Sequence, residues 1–268
     1  MDGNDALHAP EDAVRRPSAR IALLDELRGF AIFCMMFHHC LIAFQTFGLD
    51  RMLFSYNLAP LLDSLWLEWV RLPFVMAFLL ISGICCNFSH SNIKRGLITL
   101  GAAMLVTLAA ELVDMHIFFG VLHLFGFCML IGGLLLKPIQ KAPAWVGFLL
   151  LGLSFLLYSV PHHQFGLPGI TFGTLPDALY ETRWLFWLGF PGFDHVPYAD
   201  YFPLIPWCFV FFAGMIFGAV ITKKGWPDWT VRSHSRFFAF IGRHSLIFYL
   251  AHMPIFFGLF WLISQLIH

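Results

Sequence analysis

The sequence predicts an all-α, polytopic integral membrane protein that crosses the bilayer about seven times. Hydrophobic residues make up 59% of the 268 residues and charged residues only 12%, and the mean hydropathy is +0.75. A soluble domain carries about twice that share of charge. The apolar residues also occur in long runs instead of alternating with polar ones, which favours helices over an outer-membrane barrel.

Apolar runs of about 20 residues, the length that crosses the hydrocarbon, fit the sequence seven times. With the N-terminus in the cytoplasm, they leave thirteen Lys and Arg residues on the cytoplasmic side and three on the other. This is the positive-inside pattern, and it predicts a cytoplasmic N-terminus and an outside C-terminus. The predicted spans are 28–47, 70–88, 96–112, 117–136, 144–160, 201–222 and 244–266.

The polar residues 1–20 are expected to form a cytoplasmic N-terminal tail, and residues 21–268 a single transmembrane domain in the cell membrane. Two outer connections are long, 48–66 and 161–200. The second is rich in aromatic residues, a composition typical either of a layer at the membrane interface or of a lid over a pocket.

Ionisable side chains inside the spans indicate a functional site, because such groups usually face a cavity or a partner. Arg28 and His39 are eleven residues apart, so on a helix they share one stripe, about 16 Å apart. Asp25 lies close to the same face, whereas His38 points about 80° away. The pattern predicts a polar wall that runs from a cation at the cytoplasmic end to an imidazole near mid-membrane.

Further candidates lie in later spans. His123 and His252 are at comparable depth, and Ser245 shares a helix face with His252. Asp200, where the chain re-enters the membrane, could orient an imidazole or bind a hydroxyl or amine. The histidines lack the H-x-x-x-H or C-x-x-C spacing of metal sites, so no metal is expected. The basic residues at the cytoplasmic helix ends that could bind an anionic ligand are Arg28, Lys94, Arg95 and Arg243.

Five blocks of the sequence resemble, in order, the heparan-α-glucosaminide N-acetyltransferase catalytic-domain family of membrane acyltransferases. The resemblance runs from about Arg20 to the C-terminus. The blocks are LLDELRGFAIFCMMFHH, FVMAFLLISGICCNFS, FFGVLHLFGFCMLIGG, ADYFPLIPWCFVFFAG and FIGRHSLIFYLAHMPI.

The resemblance implies that acetyl-CoA is the acyl donor, used from the cytoplasmic side, and that an amino sugar or other glycan group on the far side is the acceptor. The first-helix motif of the family maps onto Asp25, Arg28 and Gly29, and the polar position of the active centre eleven residues later is His39. The later blocks supply His123, Arg243, His244, Ser245 and His252.

The chain also departs from the family pattern. The animal enzyme resembles a larger bundle with an additional lumenal domain, and its catalytic histidine is assigned to the loop after the first helix. Residues 40–89 of this chain contain no histidine. His39 or His38 is therefore expected to take that role, either as a general base in direct transfer, which we favour, or as a nucleophile that is acetylated transiently.

The alternative function is a transporter of a small polar solute with an intramembrane His/Arg site, and a third is a membrane interaction protein without enzymatic activity. Seven spans divide poorly into inverted repeats, which weighs against the transporter. The expected partners are the lipid bilayer and the acceptor glycan, with no nucleic acid. A homodimer remains one alternative for the oligomeric state.

Overall fold

The computed structural model describes residues 21–112, 116–117, 119–167, 169–192 and 200–267, and the predicted tail 1–20 lies outside these ranges. Short 3₁₀ helices cover Cys86–Phe88, Val160–His162, Asp177–Leu179 and Arg183–Leu188, and the strands are β1 (Gln164–Leu167) and β2 (Ile170–Thr174). The α-helices are α1 (Ala22–Thr46), α2 (Leu49–Phe54), α3 (Ala59–Leu62), α4 (Leu65–Cys85), α5 (Asn92–Glu111), α6 (Val121–Leu134), α7 (Leu136–Lys141), α8 (Ala144–Leu156), α9 (Leu204–Lys224), α10 (Asp228–Val231), α11 (Arg236–Arg243) and α12 (Ser245–Ile267).

Among the described residues, five helices are long and apolar enough to cross a membrane: α1, α4 with the 3₁₀ turn after it, α5, α9 and α12. The predicted class, an all-α polytopic membrane protein, is confirmed. The other two predicted spans contain shorter helices. α6 has 14 residues and α8 has 13, so each is about 20 Å long, less than the roughly 30 Å of hydrocarbon.

α6 is short because the residues before it are extended and are hydrogen-bonded to the connection that leads into α9. Gly120 has φ −86° and ψ −179°. The Phe202 backbone N–H donates to the Phe119 carbonyl at 2.9 Å, and the Val121 N–H donates to Asp200 Oδ2 at 3.3 Å. A helix start inside a membrane needs partners for its N–H groups, and Asp200 is one of them.

α8 ends where the chain turns into a hairpin instead of continuing outward. β1 and β2 pair antiparallel, with Gln164 opposite Thr174. The Tyr180 hydroxyl donates to the Val160 carbonyl, which joins the 3₁₀ segment before the hairpin to the one after it. The described parts of the predicted 161–200 connection are thus ordered by local hydrogen bonds, and its last residue, Asp200, contacts the start of α6.

One end of the bundle, which we call the basic end, consists of the start of α1, the end of α4, α7, the end of α9, and α10–α11. Long-range hydrogen bonds hold these segments together. Glu26 Oε1 accepts from the Ser233 hydroxyl at 2.7 Å and from the backbone N–H groups of His234 and Ser235 at 2.7 and 2.9 Å. Lys223 Nζ donates to the Gln140 carbonyl at 2.6 Å. Segments that the sequence predicts on one side of the membrane therefore meet in the fold.

The apolar core lies between α4, α6 and α9. Leu79, Leu124, Val210, Phe211 and Met215 are at most 1% exposed. Since lipid tails are as apolar as these side chains, close van der Waals packing and not exclusion from water stabilises this contact.

The backbones of α1 and α11 touch where two glycines face each other. A Cβ atom on Gly29 would lie 1.9 Å from the Phe238 carbonyl oxygen, and one on Gly242 would lie 1.8 Å from the Asp25 carbonyl oxygen. No side chain fits either position unless the helices move apart. The glycine of the first-helix motif is therefore explained by helix packing, and this contact fixes the neighbouring Arg28 at the basic end.

We expect Gly29→Ala to lower the free energy of unfolding by about 1–3 kcal/mol, because overpacking against backbone outweighs a gain in helix propensity of at most about 1 kcal/mol. Thermal unfolding in detergent measures this. Gly101→Ala and Gly258→Ala are matched controls, since a Cβ there meets nothing within 4 Å. Equal stability of Gly29→Ala and the controls would contradict the packing role.

Candidate active site

Two histidines from helices at opposite ends of the sequence meet inside the bundle. His39 Nδ1 on α1 lies 2.8 Å from His252 Nε2 on α12, and the two rings are nearly parallel, at 12°. His252 is buried, with 5% of its surface exposed. Four histidines and one carboxylate were predicted to be catalytic, and of these five residues His39 and His252 are in direct contact with each other.

The hydrogen bonds of this pair determine where the protons lie. His252 Nδ1 is 2.6 Å from the Tyr249 carbonyl oxygen, which can only accept, so His252 carries its proton on Nδ1. When His252 is neutral, its Nε2 accepts from His39 Nδ1–H. A neutral His39 then has its lone pair on Nε2, an assignment that follows from the hydrogen-bond network.

His39 lines a cavity of about 280 Å³, which we call the histidine cavity. His38, Arg71 and Asp200 line it as well. Apolar side chains of α1 and α4 form most of the remaining wall. His39, whose Nε2 carries the lone pair, thus faces a space large enough for part of a substrate.

Arg71 is held at this cavity by an ion pair. Its Nε and Nη2 donate to Glu68 Oε2 at 3.0 and 2.7 Å, and Nη2 also lies 2.8 Å from Oε1. Glu68 also accepts a hydrogen bond from the Tyr158 hydroxyl, at the end of α8. The charge of the guanidinium is therefore matched by a carboxylate within its own helix.

A second cavity of about 200 Å³, the arginine cavity, lies toward the basic end. Its lining includes Arg28, Arg95, Ser245 and Tyr249. Arg28 Nη1 is 3.7 Å from Asp25 Oδ1 and 3.3 Å from the Gly242 carbonyl oxygen, and Nη2 is 2.6 Å from Cys85 Sγ. Arg95 is exposed. Two guanidinium groups at one opening suit an anionic ligand.

The polar wall that the sequence predicts between Arg28 and His39 is divided in the structure. Phe78 and Val121 line both cavities, and the Tyr249 hydroxyl, on the arginine side, donates to Asp200 Oδ2, on the histidine side, at 2.5 Å. The expectation of one continuous polar wall is therefore not met. A single helix predicts which of its residues share a face, but not which side chains of other helices fill the space between them.

The remaining predicted site residues lie elsewhere. His123 is buried and accepts a hydrogen bond from the Gly120 backbone N–H at 3.2 Å, so it caps α6 and lines neither cavity. Lys94 and Arg243 are exposed and also outside the linings, and Arg243 Nε donates to the Ala239 carbonyl of its own helix at 3.0 Å. Among the described residues, no group of three or more His, Cys, Asp or Glu could hold a metal ion.

Sequence reasoning missed the site roles of Arg71 and Tyr249. A signal existed for each. Glu68 and Arg71 are three residues apart at the start of an apolar run, a spacing that pairs charges on a helix. Tyr249 precedes His252 by three residues, which puts both on one face of α12.

We expect ¹⁵N NMR of histidine-labelled protein to find His39 and His252 both protonated on Nδ1, because the Tyr249 carbonyl fixes the direction of the hydrogen-bond chain. His252→Gln should release His39 from this constraint and change its ¹⁵N shifts, and His244→Gln, at an exposed position, serves as the control. A proton on Nε2 of His39 in the unaltered protein would contradict the assignment.

The comparison with known families bears on this site. A family model described as heparan-alpha-glucosaminide N-acetyltransferase, catalytic, matches residues 20–254. No curated protein and no solved structure matches the chain. The matched range covers most of the 268 residues and includes both cavities and the histidine pair. The predicted resemblance is confirmed, and the chain belongs to the heparan-α-glucosaminide N-acetyltransferase catalytic family of membrane acyltransferases.

Proposed function

We propose that this membrane acyltransferase transfers an acetyl group from cytoplasmic acetyl-CoA to a hydroxyl or amine of an amino sugar or other glycan on the far side of the membrane. The observation that carries the proposal is the His39–His252 hydrogen bond, at 2.8 Å. It gives a residue of the histidine cavity an unprotonated Nε2, the group that a general base needs.

The arginine cavity supports binding of the donor. Coenzyme A carries several phosphate charges, and the guanidinium groups of Arg28 and Arg95 are at the basic end, where the positive-inside pattern predicts the cytoplasm. Ser245 adds a hydroxyl to the lining. Lys94 and Arg243 are outside this lining, so they contribute at most long-range attraction.

The tautomers of His39 and His252 determine which nitrogen accepts the proton during the reaction. The acceptor oxygen or nitrogen attacks the thioester carbonyl carbon and gives its proton to His39 Nε2. The resulting imidazolium is stabilised by the hydrogen bond from its Nδ1–H to His252 Nε2, as an orienting partner does in other acyl-transfer sites. The tetrahedral intermediate then collapses, the carbon–sulfur bond breaks, and the thiolate takes the proton from His39.

The Tyr249–Asp200 hydrogen bond lies between the two cavities, so the thioester reaches His39 when this contact opens. Asp200 is then able to accept a hydrogen bond from the acceptor hydroxyl or amine. The same carboxylate accepts from the Val121 backbone N–H, and this bond keeps it in position when Tyr249 moves.

We expect Arg28→Ala to lower the affinity for coenzyme A at least tenfold, since a hydrogen bond to a charged group contributes about 1.5–3 kcal/mol. The readout is the rise in unfolding temperature that CoA causes in detergent, compared for each variant with and without ligand. Arg243→Ala, at an exposed position outside the cavity, is the matched control and should keep the response. An equal response of both variants would reject this donor site.

We expect His39→Gln to reduce acetyl transfer by about 10²–10⁴-fold, the usual contribution of a general base, while CoA still raises the unfolding temperature. His244→Gln is the control. Incubation with radiolabelled acetyl-CoA before the acceptor is added separates the mechanisms: direct transfer leaves the protein unlabelled. If the protein becomes acetylated and then passes its label to the acceptor, the residue acts as a nucleophile and not as a general base.

A further inference from the structure

The wall of the histidine cavity is suited to an alkyl chain over most of its area. Only four of its nineteen lining residues, His38, His39, Arg71 and Asp200, carry side-chain nitrogen or oxygen atoms. A free glycan has a hydroxyl on nearly every carbon, and each one that is buried needs a hydrogen-bond partner. This wall offers such partners at one part of the cavity only.

The mouth of the cavity faces the side of the bundle. Three lining residues are exposed: Phe33 (40%), Phe37 (61%) and Val70 (39%). All three are on α1 or α4, which are both long enough to cross a membrane. Phe37 is fifteen residues after the start of α1, about 22 Å along the helix. A molecule that enters between these side chains comes from the hydrocarbon and not from water.

The charges at the polar part favour an uncharged headgroup. Arg71 is already paired with Glu68 through 2.7–3.0 Å hydrogen bonds, so its charge is compensated. Asp200 adds a carboxylate, which repels anions and accepts hydrogen bonds from hydroxyl or amine groups. A sugar without a phosphate at this position therefore matches the site better than an anionic headgroup does.

We propose that the acceptor is a membrane amphiphile, a glycosyl or aminoglycosyl headgroup on an alkyl chain, which enters sideways between α1 and α4. The chain lies among Phe33, Phe37 and Val70, and the headgroup places its hydroxyl or amine at His39. This inference rests on the proposed acetyl transfer and names the class of acceptor.

The test compares glucosamine with alkyl glucosaminides of eight and ten carbons as acceptors, with the protein in nanodiscs and labelled acetyl-CoA as donor. We expect kcat/KM for the alkyl sugars to exceed that for glucosamine at least about tenfold, because methylenes are buried on binding. Phe37→Trp and Val70→Trp, which narrow the mouth, should lower kcat/KM for the alkyl sugars at least fivefold, and by a larger factor than kcat/KM for glucosamine.

Phe148→Trp and Leu105→Trp are the controls. Phe148 and Leu105 are 66% and 69% exposed on other helices and line neither cavity. They also correct for the accumulation of alkyl sugars in the bilayer, which is the same for every variant. Phe37 and Val70 are exposed, so the substituted proteins are expected to fold.

Other outcomes overturn the inference in distinguishable ways. Equal kcat/KM for free and alkyl sugars, or equal behaviour of mouth and control variants, rejects the sideways route. If the mouth variants instead change the KM for acyl-CoA donors with longer acyl chains, the cavity binds the acyl chain of the donor and not the alkyl chain of an acceptor. Transfer to none of the sugars while CoA still stabilises the fold rejects this class of acceptor. Loss of both transfer and CoA stabilisation rejects the proposed function itself.

Discussion

Hydrocarbon offers no hydrogen bonds, so polar side chains in a membrane bundle are satisfied chiefly by one another. The site depends on this constraint. His39 and His252 satisfy each other across α1 and α12, and Tyr249 and Asp200 do so between α12 and the residues before α9. These two bonds join the first and last spanning helices to the centre of the fold, and each also has a chemical consequence. The first directs a lone pair, and the second separates two cavities.

For the acyl transfer between two compartments that we propose, the separation of the cavities has a physical consequence. A continuous channel from Arg28 to the outer half of the bundle would expose the thioester to water as well as to the acceptor. The wall consists of Phe78, Val121 and one tyrosine–carboxylate hydrogen bond, and we expect it to open by movement of these side chains.

The sequence predicted the class of the protein and its family, because both depend on properties that lie along the chain, whereas the catalytic role of His39 stays a prediction. Hydropathy marks the helices, and the eleven-residue interval between Arg28 and His39 defines a helical face. What it did not predict depends on three-dimensional contacts. The pairing of His39 with His252 follows from how α1 and α12 pack, whereas His123 accepts from the N–H at the start of its own helix and Arg243 donates to a carbonyl of its own helix. The fourth span was predicted to start at residue 117, but α6 starts at Val121, where Asp200 accepts a hydrogen bond from the Val121 N–H.

The contact of Gly29 with Gly242 has a consequence for how such a protein can diversify. A Cβ on either glycine would overlap the backbone of the other helix, so larger residues do not fit here unless the helices that hold the region of Arg28 move apart. The histidine cavity, by contrast, is lined at Phe33, Phe37 and Val70 by side chains that are 39–61% exposed. Under the proposed sideways entry of the acceptor, exchange of these three residues would alter which molecules are modified and leave the contacts of Arg28 in place, so new specificities could arise here without a change of architecture.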